Sequence, residues 1–252
     1  MNTCFTPFRS EISDIELSEK LNNPFELETP KIGKLAAQEL QDFLIENQKN
    51  WQHNFGLEIE KKGVPKGKMF GVLVVRNKLQ ELGYLATFSG RLADEVHHEK
   101  FVPSLFDIAT DDYFINRGMS ELSAIGNQIK QSDSVTEIAF LKSERKRKSA
   151  ELQQKLFDCY HFLNHRGKTK SLCAIFENAD NKIPPSGAGE CAAPKLLQYA
   201  FKHQMQPLAM AEFWWGKPPK SAEKEHLLFY PACNDKCRPI LKYMLSKESK
   251  IT

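Results

Sequence analysis

The sequence predicts an α+β protein: mixed α/β units carrying a β-hairpin, with a coiled-coil-like helical hairpin inserted between them. Three observations carry that expectation. Ile32, Leu35, Ala36, Leu40, Phe43 and Leu44 recur at helical spacing, with Glu39, Gln41, Asp42 and Glu46 on the other face. Two runs rich in branched and aromatic residues, Met69 to Val75 and Gly83 to Ser89, are joined by a short polar link, the signature of a β-hairpin. From residue 117 to 165 the pattern turns helical over a long stretch, broken only at Gln131-Ser-Asp-Ser.

Taken in order, residues 1–28 are polar with scattered Phe5, Phe8, Ile12, Ile15, Leu17 and Phe25, and are expected as an extended arm docked on the domain. Pro30 opens a helix over about Lys31 to Gln48. A polar loop with Gly63, Pro65 and Gly67 precedes the two strands, which end near Arg76 and at Ser89. Phe101 to Ile108 continues as a covering segment, and His97 and His98 lie in a polar stretch that reads as surface. Leu122, Ile125 and Ile129 mark one helix, and Ile138, Leu141, Leu152, Leu156, Tyr160 and Leu163 a longer one, which together make a helical hairpin. Ser171 to Phe176 fits a strand or a helix end, with Cys173 as a small buried hydrophobe. A loop from Asn178 to Gly189 leads into a helix (Pro194–His203), a strand (Leu208–Trp215), a strand (Leu227–Tyr230) and a helix (Cys233–Leu245). The expected units are therefore 1–116, 117–170 and 171–252.

Charge and cysteine usage narrow the function classes. The net charge is +3. Residues 1–130 carry 15 Lys+Arg against 19 Asp+Glu, a balance of −4; residues 131–252 carry 20 against 13, a balance of +7. A basic C-terminal half suits a polyanion, RNA being the common cytoplasmic one, or is simply a solvated basic surface. No apolar run approaches the roughly 20 residues of a membrane span, and Met1 to Arg9 lacks the basic and apolar regions of a secretory signal. A cytoplasmic protein with no membrane partner is expected. Its cysteines are then reduced, and close spacing points to metal or catalysis before disulfides.

Three of the six cysteines fall between Gly187 and Met244. Gly187-Ala-Gly-Glu-Cys-Ala-Ala-Pro-Lys gives a glycine turn followed by a helix with Pro194 in its first turn, where a missing N–H costs nothing. Cys191 then sits at a helix N-terminus, which favours a thiolate. Cys233 and Cys237 form a close pair before the apolar run Ile240, Leu241, Met244. Cys191, Cys233 and Cys237 are the candidate metal ligands, with zinc the candidate cofactor, because three thiolates suit a tetrahedral zinc. A ligand at one helix start and a close Cys pair at the next is similar to the zinc deaminases. The sequence departs from that pattern in two places. The catalytic Glu position, two residues after the first ligand, is Ala193, and the second pair is spaced by four positions where the deaminases have three. Glu190 and Glu212 are the candidates to substitute. Nucleophilic catalysis by Cys191 is the other option; His203 lies about three turns along the same helix, too far to act as its base, and His226 is a partner only if the fold brings it near.

Two further features suit RNA. Lys142-Ser-Glu-Arg-Lys-Arg-Lys148 is either a solvated helix face or a phosphate-contacting ridge, with Arg145, Lys146, Arg147 and Lys148 as its contacts. Trp214 and Trp215 precede Lys217 and Lys220. Successive strand residues face opposite sides, so one Trp is expected in the core, and an exposed one beside lysines can stack on an unpaired base. Packing of both rings is the alternative.

Several long stretches resemble one family. Lys68-Met-Phe-Gly-Val-Leu-Val-Val, Gly83-Tyr-Leu-Ala-Thr-Phe-Ser-Gly, Glu144-Arg-Lys-Arg-Lys-Ser-Ala-Glu-Leu, Gly187-Ala-Gly-Glu-Cys-Ala-Ala-Pro-Lys-Leu-Leu, Ala209-Met-Ala-Glu-Phe-Trp-Trp-Gly and Tyr230-Pro-Ala-Cys are similar to the N-terminal extension of bacterial RluA-type pseudouridine synthases. The resemblance implies an accessory region that positions rRNA or tRNA for a pseudouridine synthase catalytic domain. It transfers no active site. The family's His-Arg-Leu-Asp motif is not in this chain: Arg91-Leu-Ala-Asp94 has an extra residue, and His165-Arg166 is followed by Gly167. The helical hairpin is also shorter than the coiled coil associated with the family. The expected function is thus an RNA-positioning region, with a stand-alone Cys- or zinc-dependent, deaminase-like enzyme as the alternative.

Overall fold

In the computed structural model the described residues are all but 1–3, 59, 91, 93–99, 106–107, 178, 181, 220–222 and 247–252; for 108–113 only the backbone is described. Helices and antiparallel strands build an α+β fold. The main sheet joins β1 (Thr6–Pro7), β3 (Leu82–Phe88), β2 (Lys68–Arg76) and β6 (Gln206–Trp215) in that spatial order. All neighbouring pairs are antiparallel. β2 and β3 form the expected hairpin, tightened by Asn77, whose side-chain carbonyl accepts the N–H groups of Leu79 and Glu81.

β2 is central and buried on both faces, which explains its unbroken apolar run. Phe70, Val72 and Val74 face α1 (Lys31–Asn47), where Ile32, Ala36, Leu40 and Leu44 pack on them together with Ala211, Phe213 and Trp215. Leu73 and Val75 face the opposite layer, formed by α5 (Ala192–Lys202) and α6 (Asn234–Leu245) through Leu196, Leu197, Ile240, Leu241 and Met244. The fold around the sheet is therefore three-layered. The arm docks as expected: β1 pairs with β3, and the N–H groups of Arg9 and Ser10 donate to the buried Glu39. Asn22 exchanges two hydrogen bonds with the backbone of Met210, which covers the outer edge of β6.

Residues 1–116 and 171–252, expected as separate units, contribute strands to this one sheet, because β6 pairs along the length of β2. The insertion between them holds α2 (Ile108–Gln131) and α3 (Val135–Asp158), so the helical hairpin begins earlier and ends sooner than 117–170. Its turn is set by Ser134, which caps α3 by accepting from the Glu137 N–H, while Ser132 donates to the Glu137 carboxylate. Gly118 lets the helices meet closely: a Cβ there would stand 2.7 Å from Leu152. Residues after Asp158 rejoin the C-terminal layer as a small hairpin, β4 (His161–Leu163) with β5 (Thr169–Ser171), followed by α4 (Leu172–Phe176). Phe101 makes a single parallel bridge to Ala86, consistent with a covering segment. The strand expected over Leu227–Tyr230 is reduced to one bridge, Phe213 to Phe229. Leu227 has φ 72°, which breaks the extended run at its start. His97, His98, Arg91, Ala93 and Asp94 lie outside the described residues, and Leu92 is buried.

Candidate metal centre

The site begins with a close approach of helix to sheet. Gly71 on β2 lies under α5: a Cβ there would stand 2.9 Å from Ala192 and 3.2 Å from Leu196. Its absence lets the first turn of α5 rest on the sheet. Glu212, the cross-strand partner of Gly71 on β6, points to the same face as Met210, two residues before it, and so reaches the start of α5. Before the helix, Gly187 and Gly189 adopt φ of 75° and 94°, the left-handed turn that glycine permits. That turn delivers Cys191 to the N-cap of α5.

Cys233 is the N-cap of α6, and Cys237 follows one helical turn later. Residues four apart stack on one helix face, so the extra residue between these cysteines, relative to the deaminase spacing, still brings both thiols together. The Cys233 and Cys237 sulfurs are 3.3 Å apart, and the Cys191 and Cys233 sulfurs 4.0 Å. All three Sγ atoms lie within 4.8 Å of one another. A disulfide needs about 2.05 Å, and the cysteines are free. Three sulfurs around a tetrahedral zinc, each bonded at about 2.3 Å, stand about 3.8 Å apart. The observed separations bracket that value, so the donor set fits the ion in both chemistry and spacing.

The electrostatics single out one thiolate. Contacts with the Cys191 and Cys237 thiols pull Cys233 well below the usual thiol range. The Cys233 contact pushes Cys191 up, and contacts with both other thiols push Cys237 up. Each sulfur also sits at, or one turn into, a helix N-terminus, where backbone N–H groups favour negative charge.

Glu212 is buried, and one carboxylate oxygen, Oε1, accepts the Ala193 N–H at 3.1 Å. Burial pushes its carboxyl up to about 7, with the Cys233 charge adding to the shift. The Glu190 carboxylate is engaged by the Tyr160 hydroxyl, and its backbone carbonyl accepts the Gly90 N–H at 2.9 Å. Of the two substitute carboxylates, Glu212 is thus the one aimed at the helix start from the sheet, and Glu190 anchors the glycine turn. Neither histidine serves Cys191. His203 caps the far end of α5 and packs at a tilt against Tyr199, and His226 accepts the Gly216 N–H and packs against Trp215.

The residues expected to touch RNA separate into two sets. Trp215 is 1% exposed and donates its indole N–H to Gln48, so no base can reach its face. Trp214 is half-buried and donates to the Lys217 carbonyl; Lys217 itself is exposed. On α3, Arg147 pairs with Glu144 and Glu151, and Lys148 with Glu121. Arg145 donates to the Leu122 carbonyl. Arg145 and Lys146, with Lys130 and Lys142, line a groove of about 850 Å³ between α2 and α3. Lys220 lies outside the described residues. Two buried lysines, Lys68 and Lys195, escaped the sequence reading. Lys195 was legible in principle, since it falls three positions after Ala192 on the buried arc of α5.

No family model, curated protein or solved structure matches the chain. Among the described residues no helix is long and apolar enough to cross a membrane.

Proposed function

We propose that Cys191, Cys233 and Cys237 hold a zinc ion and that the site carries out hydrolytic chemistry of the deaminase type on the exocyclic amine of a nucleobase. The observation that carries this is the meeting of three thiols from two helix starts with a buried carboxylate on the strand between them. Among the described residues three thiols could act as ligands, which would leave a fourth position of a tetrahedral ion open, as catalytic zinc sites have. Zinc held by these thiols would supply Lewis acidity and lower the pKa of a bound water towards neutrality. Glu212 takes the part of the glutamate that the motif lost at Ala193. Its Oε1 is fixed by the Ala193 N–H, which leaves Oε2 to take a proton from the attacking water and return it to the departing amine. Water oxygen replaces the amine, which leaves as ammonia.

Polyanion binding by the helical hairpin has one observation of its own, the groove lined by Lys130, Lys142, Arg145 and Lys146. It suits an RNA backbone and accords with the resemblance to the extension of pseudouridine synthases, in which a separate domain acts on the RNA.

Elemental analysis of protein purified without chelator tests the metal reading. About one zinc per chain is expected, lost in Cys233→Ser. Full metal retention in Cys233→Ser, or no metal in the wild type after zinc supplementation, overturns it.

A further inference from the structure

Two lysines that the proposed chemistry does not use are buried at one end of the sheet. Lys195 is 1% exposed and Lys68 8%. Burying a charge is costly unless it is paired. Among the described residues neither ammonium has a hydrogen bond or an ion pair; the Lys195 ammonium lies over the Phe88 ring, 5.0 Å from its centroid. The Lys68 ammonium ends 3.7 Å from where a Cβ on Gly90 would stand. The two cations therefore converge on the last residues of β3 and the turn after it, Phe88 to Gly90. Gly90 is tied by its N–H to the Glu190 carbonyl, which places this end of β3 beside the Cys191 turn.

Among the described residues the charges around the pair do not neutralise it. Lys66 and Lys195 act on Lys68 with the same sign, and among the described residues Glu190 opposes them. On Lys195 the opposing groups are Glu190 and Cys191. The Glu190 carboxylate is already held by the Tyr160 hydroxyl. Burial pushes both lysines down to about 8, a sign that each carries its charge at a cost. Lys68 is the more accessible of the two, at 8% against 1% for Lys195.

The geometry points to a phosphate-binding site formed by Lys68 and Lys195 at the Phe88–Gly90 end of β3. Two lysine cations match the two negative charges of a phosphate monoester better than the single charge of a carboxylate. The ligand class is a phosphorylated nucleotide whose phosphate docks here, one helical turn from Cys191. The site stands on the lysines alone and does not depend on metal at the thiols.

Thermal unfolding in inorganic phosphate, with chloride balancing ionic strength, tests it on the full chain with and without added zinc. The midpoint of the wild type is expected to rise with phosphate in both conditions, as it must when a ligand binds the folded state alone. In Lys195→Met and Lys68→Met the phosphate affinity is expected to fall about 10- to 100-fold, as for loss of a hydrogen bond to a charged group. Lys195→Met is also expected to melt above the wild type in the absence of phosphate, because an uncompensated buried charge has gone. Cytidine 5′-monophosphate stabilising where cytidine does not assigns the site to a terminal phosphate. The same effect from a 5′-hydroxyl oligoribonucleotide, lost in Lys195→Met, assigns it to a backbone phosphate, and either result supports the site. No response in the wild type, an equal response in both variants, or a response only with zinc added overturns it.

Discussion

The backbone N–H of Ala193 donates to Glu212 Oε1 at 3.1 Å, so the carboxylate that the helix-start motif lacks arrives from the neighbouring strand. Gly71 makes this possible: the Glu212 Cγ stands 3.5 Å from the place a Gly71 side chain would begin. A glutamine at 212 keeps an oxygen for that N–H but cannot carry a proton. Glu212→Gln is therefore expected to fold and to retain metal, while ammonia release from cytidine or adenosine falls by about 10²- to 10⁴-fold, the usual scale of general acid–base catalysis. Unchanged release in the variant would remove Glu212 from the chemistry.

Replacing Gly71 tests how the thiols are placed without touching them. Gly71→Val sets a branched side chain against Ala192 and Leu196, so the start of α5 must lift from the sheet. We expect Cys191 to leave the cluster and zinc content to fall, while far-UV dichroism stays close to that of the wild type. Full metal occupancy in Gly71→Val would show that the helix start is not positioned by this contact.

Gly189 has φ 94°, and a Cβ there would stand 2.9 Å from the Tyr160 ring. Gly189→Ala is strained twice over, by its backbone angle and by the ring that holds Glu190. A loss of about 1–3 kcal/mol is expected, readable as a lower urea midpoint. A midpoint equal to that of the wild type would mean that the turn can relax.

The pH dependence of stability follows from Lys195. Its folded pKa, about 8, lies below the ordinary 10.5 of the unfolded chain. Between those values the unfolded state binds more protons, so the wild type gains stability as pH rises through the window and loses it as pH falls towards 8. Lys195→Met lacks this dependence. The stability difference between the two proteins is expected to close from about pH 8 to pH 10.5, at a rate no steeper than about 1.4 kcal/mol per pH unit. A difference that stays constant across that range would show that Lys195 is not a buried charge at neutral pH.

On the hairpin, groove lysines and paired arginines should behave differently. Lys142→Glu and Lys146→Glu are each expected to lower the salt dependence of RNA binding by about one unit of slope. Arg147→Ala should leave that slope unchanged, because its guanidinium is taken up by Glu144 and Glu151. Equal effects from all three would place the contact surface on the outer face of α3 instead of in the groove.

Local pattern made the elements legible. α1, β2, β3, α5, β6 and α6 all lie within a few residues of where periodicity and turn chemistry put them. Pairing was not legible. Nothing in the periodicity of residues 206–215 names β2 as their partner, since the two are separated by the whole helical hairpin, and for that reason the chain read as three units. The thiols were found because cysteine spacing is itself a chemical signal. The roles of Glu212 and Glu190 could be separated only in space, where one is hydrogen-bonded to a helix start and the other to Tyr160. Trp214 and Trp215 divide as strand alternation requires, but the sequence could not say which ring turns inward.

The pairing of Ala211 with Val72 also fixes an order of events during synthesis. A ribosome must make the whole helical hairpin before the central strand acquires its second neighbour, and Cys233 and Cys237 emerge later still. Until then Val72 and its neighbours have one open flank, the arrangement that invites association with other chains. The insertion thus lengthens the time for which the nascent protein depends on being shielded, and the metal capture proposed for the thiols can only be among the last steps of its maturation.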